Sequence, residues 1–495
     1  MSRVLVIQGG TQRELHAEHN EILLDVLRRN GLTVTAPCGG RHICGKCVVT
    51  LLEPDGARDR ILACEFPVCR DLRVMLDEVG GGIILEKGLC SLPIALKLFD
   101  LSDGREVGSI SAWNRQASYG ADVLTRCQYC MEAESGLDTL STLAVSQIWT
   151  LLYDVCKTSS LSTSDVKEIY LAGNTVMEHI LFRLSPASIA VAPFRPLSLF
   201  DDGRTLGFNG PLLFPAPCVA GYVGGDITAG LLACGLHEKP GYSLFLDVGT
   251  NGEMALGGKD GFLCCAVASG PAFEGAGISC GMASTDGAVS TVRWEKGAPV
   301  LTVIGGGAPK GVCGSGLLDL LAMLLDLGIV DEGGYLQPPG ELEEAFSPWL
   351  DEDEDGNGIF YLTSDRSIFF TSRDVRALQL AKAAVAAGIS VLLDTAGIGL
   401  TDIEALYLAG GFGSHLNADS AVAIGMLPAA LREKIICVGN SALTGASMAL
   451  LDPAKRVTLL DIQRKCDYLE LSGHKGFNRL YPEHMTFDKE DSPWK

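Results

Sequence analysis

The chain has 495 residues, more than one hydrophobic core normally organises, so its length predicts about three domains or lobes. Hydrophobic residues make up 47% of the chain and charged residues 20%, which excludes a disordered polypeptide. The formal net charge of -21 disfavours nucleic acid and anionic membranes and favours a protein partner or a small ligand.

The opening residues, MSRVLVIQGG, lack the basic start and the apolar core of a secretory signal. The most apolar later stretch, 383–393, is bracketed by Lys382 and Asp394 and is too short to span a bilayer. The 17 cysteines of so long a chain favour metal ligands and buried thiols over a disulfide framework. We therefore expect a soluble protein of the reducing cytoplasm.

The first predicted unit is a small mixed fold that opens with the strand RVLVIQ. A helix is predicted in NEILLDVLRRNG, because its apolar residues share one face and Gly31 stands at the C-terminal stop position. Those apolar residues are Ile22, Leu23, Val26 and Leu27. The segments VVTLL and RILACEF predict two further strands joined by a turn at Asp55 and Gly56, the second strand carrying Cys64.

A cysteine pattern of C-x5-C-x2-C-x16-C runs through this unit. Its members are Cys38, Cys44, Cys47 and Cys64. A close triple plus one distant cysteine is the plant-type ferredoxin arrangement for a 2Fe–2S cluster, although the first gap there is usually four residues. Structural zinc would use two paired C-x2-C knuckles, of which this stretch has one, so the cluster is favoured over zinc and over buried thiols. Gly39, Gly40 and Gly45 allow the backbone to wrap the cluster.

The fourth ligand has a competitor, Cys69, which follows Pro67 towards a turn, whereas Cys64 falls in the apolar pattern ILAC. Cys64 is therefore preferred. A further C-x2-C pair, Cys127 and Cys130, lies on a predicted helix and is interpreted as packed thiols. His42, between the cluster cysteines, is interpreted as an exposed loop residue.

The rest of the chain contains two pairs of similar segments. IYLAGNTVMEHI (169–180) matches LYLAGGFGSHLN (406–417), each an apolar strand, a glycine turn and a helix start. Residues 94–112 match 242–268, each a strand, a turn and a strand. The repetition predicts two related lobes.

Nucleotide chemistry is concentrated in the second lobe. In LFLDVGTNGEMAL a strand runs into Asp247 and a glycine-rich turn, which offers N–H groups and a hydroxyl to phosphates and a carboxylate to hydrated magnesium. YLAGGFG predicts a turn on which an adenosine lies, and GVCGSGLLDLLAML predicts another glycine turn that opens a helix. The predicted nucleotide-binding residues are Gly249, Thr250, Asn251, Gly252, Gly314, Ser315, Gly410, Gly411 and Gly413.

The order of these motifs resembles the actin, sugar-kinase and heat-shock-chaperone ATPase superfamily, with PCVAGYVGGDITAGLLACG (217–235) and VGNSALTGASMAL (438–450) similar to its two connecting helices. With the ferredoxin segment, the whole chain resembles the reductive activators of corrinoid-dependent methyltransferase systems. The resemblance implies an α+β ferredoxin-like β-grasp domain followed by a duplicated α/β actin-like ATPase fold with two lobes. The implied boundaries are 1–80 for the ferredoxin domain, 81–91 for a linker, 92–236 and 237–465 for the lobes, and 466–495 for a C-terminal tail.

The resemblance also implies the activity: an ATP-dependent corrinoid reductase that passes one electron from the 2Fe–2S cluster to cob(II)alamin and so restores cob(I)alamin. The implied partners are a corrinoid protein and an electron donor such as a ferredoxin or flavoprotein. The resemblance does not decide between a monomer and a homodimer. ATP with Mg²⁺ is the implied second cofactor. Asp247 and Asp226 are the implied catalytic carboxylates, with capping of a helix as the equal alternative for Asp226.

One departure from the family matters. The first phosphate loop, a D-x-G-T-T run, is missing between residues 86 and 104. Either the second lobe holds ATP with replacement contacts, or the protein binds nucleotide weakly and hydrolyses it poorly. The alternatives are a redox adaptor that does not hydrolyse ATP and a ferredoxin-fused sugar kinase, for which no polar sugar cleft is evident. The acidic run DEDEDGNG (351–358) is interpreted as a solvated loop, not a calcium site.

Overall fold

The structure is a computed structural model that describes residues 2–8, 11–32, 34, 36, 40, 42, 47–53, 57–76, 93–120, 122–207, 210–410, 416–487 and 494. Its N-terminal unit contains strands β1 (Ser2–Gln8), β2 (Thr11–Ala17), β3 (Glu21–Ile22), β4 (Val48–Leu52), β5 (Arg58–Leu62), β6 (Pro67–Val68) and β7 (Leu72–Met75), and helix α1 (Leu23–Arg29). Five of the strands form a mixed sheet in the order β2-β1-β7-β4-β5, in which β1 and β7 are parallel.

The N-terminal unit forms because apolar residues alternate along β1 and line one side of α1. Val4 and Val6 of β1 and Leu23, Leu24 and Leu27 of α1 are buried in one hydrophobic core. Gly31 follows the helix in the left-handed region, with φ +71°, as its stop position predicted. The fold is the ferredoxin-type β-grasp that the sequence predicted.

Two details of this unit differ from the prediction. Ile22 lies in β3, where it pairs with Pro67 of β6, so the helix starts at Leu23, three residues after the predicted segment begins at Asn20. Cys64 lies in a turn beyond β5 instead of within the strand, because the pairing of β5 with β4 ends at Leu62 opposite Val48. The predicted turn at Asp55 and Gly56 lies outside the described residues.

The first lobe follows. It contains β8 (Pro93–Phe99), β9 (Glu106–Trp113), α2 (Val123–Glu132), α3 (Gly136–Thr158), β10 (Glu168–Leu171), α4 (Thr175–Leu181), α5 (Ala187–Ala190), β11 (Leu206–Gly207), β12 (Leu212–Pro215) and α6 (Gly225–Ala233). The strands β8 and β9 pair antiparallel, and β10, β12 and β11 form a second small sheet. The long helix α3 places Leu140, Ile148 and Leu152 in the interior of the lobe.

The second lobe is larger. It contains β13 (Tyr242–Val248), β14 (Gly252–Gly258), β15 (Gly261–Val267), β16 (Ala288–Glu295), β17 (Ala298–Val303), β18 (Gly311–Val312), α7 (Gly314–Asp326), β19 (Leu350–Glu352), β20 (Gly358–Tyr361), β21 (Phe369–Thr371), α8 (Ser372–Ala396), β22 (Ile403–Ala409), α9 (Ala418–Ala423), β23 (Ile435–Gly439), α10 (Ser441–Leu451), α11 (Pro453–Arg464), β24 (Cys466–Tyr468) and α12 (Lys475–Glu483). A six-stranded sheet in the order β23-β22-β13-β14-β15-β24 is its centre.

Helix α8 runs through the core of the second lobe. In the described part of the chain it is the one helix long and apolar enough to cross a membrane, and 83% of its most apolar stretch is buried inside the protein. It is longer than the apolar run predicted from the sequence, because Lys382 does not interrupt it. The Lys382 ammonium donates a hydrogen bond to the Thr486 carbonyl at 2.6 Å and lies 4.8 Å from the centre of the Phe487 ring.

The two lobes are joined where α6 crosses α10, each within a segment predicted to hold a connecting helix. An added Cβ at Gly445 of α10 would lie 2.0 Å from the Ala229 carbonyl oxygen of α6. An added Cβ at Gly230 would lie 2.5 Å from the Phe245 ring. The absence of a side chain at Gly445 brings the backbones of the two helices into contact, and its absence at Gly230 makes room for the Phe245 ring of β13, which begins the second lobe.

Candidate functional site

The described part of the cysteine pattern contains two ligand candidates side by side. The Cys64 N–H group donates a hydrogen bond to Cys47 Sγ at 3.5 Å, and both residues are buried. Burial, followed by the neighbouring Cys47, raises the pKa of the Cys64 thiol to about 12. A thiolate at this position therefore requires a compensating positive charge, which a bound metal cluster provides. Cys38 and Cys44 lie outside the described residues.

The competing cysteine is placed differently. Cys69 is exposed, and its thiol donates a hydrogen bond to Asn20 Oδ1 at 3.0 Å. His42 lies beside Cys64 and Glu65, and 55% of its side chain is exposed. Its Nδ1 atom is 3.8 Å from Glu65 Oε1. The contacts of Cys64 thus support its choice over Cys69, and the donor set near Cys47 fits an iron–sulfur cluster.

Most predicted nucleotide residues come together in a cavity of about 1330 Å³ between the lobes. The predicted residues that line it are Asp226, Asp247, Gly249, Thr250, Asn251, Gly314, Ser315 and Gly410. Gly252 begins β14, where an added Cβ would lie 2.8 Å from Val267 Cγ2, so it packs against the sheet. Gly411 and Gly413 lie outside the described residues.

The two predicted catalytic carboxylates, Asp226 and Asp247, both line the cavity and interact electrostatically. Burial, then Asp226 and Glu274, raise the pKa of Asp247 at the end of β13 to about 7. Burial raises the pKa of Asp226 to about 6. Asp226 lies in the first turn of α6, where its Oδ1 accepts a hydrogen bond from the Ile227 N–H group at 2.9 Å, whereas Gly224 is the N-cap residue. Asp226 therefore does not occupy the capping position.

Two buried glutamates that sequence reasoning missed join this pair. Glu253 lies directly opposite Asp247 in the β13–β14 ladder, and burial, Asp226 and Asp247 raise its pKa well above the usual value. Glu178 of α4 is fully buried, and burial and Asp226 raise its pKa in the same way. The hairpin motif DVGTNGE contained a signal for Glu253, because its register pairs that residue with Asp247. No local pattern pointed to Glu178.

A third missed glutamate holds the predicted phosphate turn. Glu274 accepts hydrogen bonds from the Thr250 N–H group at 3.1 Å and from the Thr250 hydroxyl at 2.8 Å. The Ser269 hydroxyl fixes the same turn by donating to the Gly249 carbonyl at 3.0 Å. The donors expected to bind a phosphate are thus occupied by a carboxylate, which an incoming phosphate has to displace.

Gly410 brings the predicted adenosine turn against the carboxylates. Its φ of +81° favours glycine, and an added Cβ would lie 2.4 Å from Asp247 Oδ1. Across the cavity, the Asn174 amide of the first lobe donates a hydrogen bond to Glu253 Oε1 of the second lobe at 3.0 Å. Asn174 belongs to the LAGNT half of the repeat, so both repeats contribute to the cleft.

One buried cation lines the cavity on the first-lobe side. The Arg126 Nε donates a hydrogen bond to the Gly120 carbonyl at 3.0 Å, and burial lowers the pKa of Arg126 to about 10 while Asp122 and Glu274 oppose the shift. The neighbouring Cys127 and Cys130 behave as packed thiols, since burial raises the pKa of Cys127 to about 12 and that of Cys130 to about 11. Of the stretch 86–104, where the first phosphate loop is missing, residues 93–104 are described and form β8 and its turn.

Comparison with known proteins gives three family matches along the chain. Residues 6–69 match the 2Fe-2S iron-sulfur cluster binding domain, 89–239 match the RACo middle region, and 241–495 match the C-terminal domain of RACo, the ASKHA domain. A solved structure titled "Reductive activator for corrinoid,iron-sulfur protein" superimposes with a TM-score of 0.72, at 28% identity, over 100% of both chains.

Two curated proteins are similar in sequence. The "Corrinoid activation enzyme RamQ" of Eubacterium limosum is 33% identical over 405 residues, which cover 79% of this chain and 68% of that protein. The "[Co(II) methylated amine-specific corrinoid protein] reductase" of Methanosarcina barkeri is 26% identical over 301 residues, which cover 56% of this chain and 52% of that protein.

Proposed function

We propose that this chain, which belongs to the RACo family, is an ATP-dependent activating enzyme that returns an inactive corrinoid protein to its cob(I)alamin state. One electron passes from the ferredoxin-type domain to cob(II)alamin, and ATP is hydrolysed to ADP and phosphate. One observation carries the proposal. The same chain contains neighbouring cysteines of a cluster pattern and a cavity between the lobes that is lined by carboxylates and glycine turns. Residues 1–80 supply the electron-transfer unit, and 92–236 and 237–465 supply the two lobes, with β24 of the predicted tail 466–495 added to the central sheet of the second lobe.

The ferredoxin-type domain holds its 2Fe–2S cluster, in this proposal, with Cys38, Cys44, Cys47 and Cys64. When bound, the cluster supplies one-electron transfer. The burial of Cys47 and Cys64 keeps water away from that site, and their proximity supports the choice of Cys64 as the fourth ligand. A ferredoxin or flavoprotein is the proposed source of electrons.

The cavity is the proposed site of Mg-ATP. A phosphate group bound at this turn would replace Glu274 as the acceptor of the hydrogen bonds that the Thr250 N–H group and hydroxyl donate. Asp247 and Asp226 are the proposed holders of hydrated Mg²⁺ and of the attacking water, because their raised pKa values mark carboxylates that gain stability from a nearby cation. The backbone is proposed to approach the nucleotide closely at five further residues: Gly249, Asn251, Gly314, Ser315 and Gly410.

ATP binding is coupled to the reduction step through closure of the lobes. A hydrogen bond between Asn174 and Glu253 connects the two lobes, and the backbone contact between α6 and α10 is the proposed pivot. If the closed state binds the corrinoid protein differently, closure changes the ligation of cobalt and thereby its potential. A change of about 1.4 kcal/mol in the free energy of reduction moves a one-electron potential by about 59 mV. Modest differences in the contacts with the corrinoid protein therefore shift the cobalt potential substantially.

The test is spectroscopic. We expect cob(II)alamin on its protein to convert to cob(I)alamin, or to methylcobalamin when a methyl donor is present, only when reductant, this protein and ATP are combined. The matched variant Asp247→Asn should retain the cluster and lose the stimulation by ATP. Equal rates with and without ATP would exclude the coupled mechanism.

A second function, a redox adaptor that does not hydrolyse ATP, is favoured by two observations. The phosphate-binding donors of Thr250 are already satisfied by Glu274, and the first phosphate loop is missing. Calorimetry with Mg-ATP separates the two functions. Measurable binding that is lost in Asp247→Ala supports the enzyme, whereas no binding to the wild-type protein supports the adaptor.

A further inference from the structure

Arg28 connects the ferredoxin-type domain to the first lobe. It lies near the end of α1, and only 7% of its side chain is exposed. Its guanidinium carbon lies 4.9 Å from the centre of the Tyr119 ring, and its Nη2 donates a hydrogen bond to the Ser118 carbonyl. Both contacts are with residues of the first lobe, far away in the chain.

The same guanidinium faces Gly40, a described residue between Cys38 and Cys44 in the sequence. An added Cβ at Gly40, whose φ is +95°, would lie 3.4 Å from Arg28 Nη1 and 3.1 Å from Leu24 Cδ2. Burial lowers the pKa of Arg28, and Asp25, followed by Tyr119, Tyr129 and Cys47, opposes this shift. Arg28 therefore lies between Gly40 on one side and Ser118 and Tyr119 of the first lobe on the other.

The charge of Arg28 is only partly compensated. Its acidic neighbour Asp25 is 3.6 Å away and 61% exposed, so this ion pair is weakened by solvent. The Arg28 Nε–H group is buried and has no hydrogen-bond partner among the described residues. Burying a cation and a donor without full compensation is unfavourable, which indicates an anionic neighbour that the cysteine loop supplies when loaded.

We infer that Arg28 is a positioning residue that raises the reduction potential of the 2Fe–2S cluster, and that its contact with Ser118 and Tyr119 makes this potential depend on docking of the ferredoxin-type domain. Reduction adds one negative charge to the cluster site, and a nearby buried cation stabilises the reduced form. By linkage, reduction strengthens the docking contact to the same extent. The inference rests on the proposed electron-transfer role of this domain.

The test is a potentiometric titration of the cluster-loaded full-length protein, followed by electron paramagnetic resonance. We expect Arg28→Gln to lower the midpoint potential by at least 59 mV, which corresponds to a tenfold change in a one-electron equilibrium constant. Arg28→Lys should retain part of the wild-type value. The matched control is Arg29→Gln, because Arg29 is the next residue of α1, is 46% exposed and pairs with Glu21; its potential should equal that of the wild type.

A first-lobe variant keeps the inference testable if Arg28→Gln fails to retain its cluster. Tyr119→Ala leaves the ferredoxin-type domain unchanged but removes the surface on which Arg28 lies, and we expect a smaller shift in the same direction. Full iron content with a wild-type potential in both variants would overturn the inference. Neither ATP nor a corrinoid protein is present, so this failure is distinct from a failure of the proposed activity.

Discussion

We expect the ligand-free variant Asp247→Asn to be more stable than the wild-type protein at pH 8. Asparagine has almost the size of aspartate but carries no charge. In the wild type, burial and the neighbouring Asp226 and Glu274 raise the pKa of Asp247 to about 7 from an ordinary value of 3.8. The carboxylate is therefore a source of instability above neutral pH, which a bound cation removes and the variant abolishes.

The sign and size of this gain in the free energy of unfolding follow from proton linkage. Between pH 3.8 and about 7 the unfolded chain has released the proton of Asp247 while the folded protein retains it, so the free energy of unfolding falls as pH rises and then stays low. The full difference in pKa corresponds to about 4 kcal/mol, and partial solvent exposure reduces the expected gain in the variant to about 2–4 kcal/mol at pH 8. At pH 5 the gain should be about a third of this value.

Scanning calorimetry of the ligand-free protein at pH 5 and pH 8 measures the effect. The matched control is Asp260→Asn, in the exposed turn between β14 and β15, for which no pH-dependent gain is expected. The same gain at both pH values, or none at pH 8, would refute the assignment to Asp247 of a raised pKa and a destabilising ionised form. At pH 8 the variant should bind Mg-ATP more weakly than the wild-type protein, although it is the more stable of the two.

Three further results are expected. Cys64→Ser should lose the 2Fe–2S signal in iron and sulfide analysis, whereas Cys69→Ser should keep it, because Cys64 lies against the buried cysteine of the pattern and Cys69 is exposed. Gly445→Ala should reduce the free energy of unfolding by about 1–3 kcal/mol, since its methyl group would overlap the carbonyl of the crossing helix; Gly473→Ala, in open space, should have little effect in the same urea titration. Asn174→Ala removes an N-cap and the hydrogen bond across the cleft, and should cost about 1–2 kcal/mol by the same measurement.

Local patterns predicted the elements of this fold, because strands, glycine turns and helix ends are encoded in short stretches of sequence. The cysteine spacing indicated the ferredoxin-type domain, and DVGTNGE with YLAGGFG indicated the actin-like lobe that the family matches identify. Asp247 and Gly410 were predicted in separate motifs, and the structure brings them side by side because they lie at the ends of neighbouring parallel strands.

Features set by long-range pairing were not predictable in the same way. The end of β5 before Cys64 depends on its register with β4, and Ile22 is drawn into β3 by pairing with β6. Glu178 and Asn174 reach the cavity from the first lobe, so no single segment contains the site. Lys382 extends α8 because a carbonyl and an aromatic ring near the C-terminal end of the chain receive its ammonium group.

The position of β24 has a consequence for biosynthesis. It pairs with β15 through Cys466 and Tyr468, although the two strands are separated by most of the second lobe in the chain. While the protein is being made, β15 therefore leaves the ribosome long before its neighbour and presents an open strand edge that another nascent chain can pair with. A chain shortened before Cys466 keeps that edge open permanently, so we expect such fragments to collect in inclusion bodies while chains that include β24 remain dispersed.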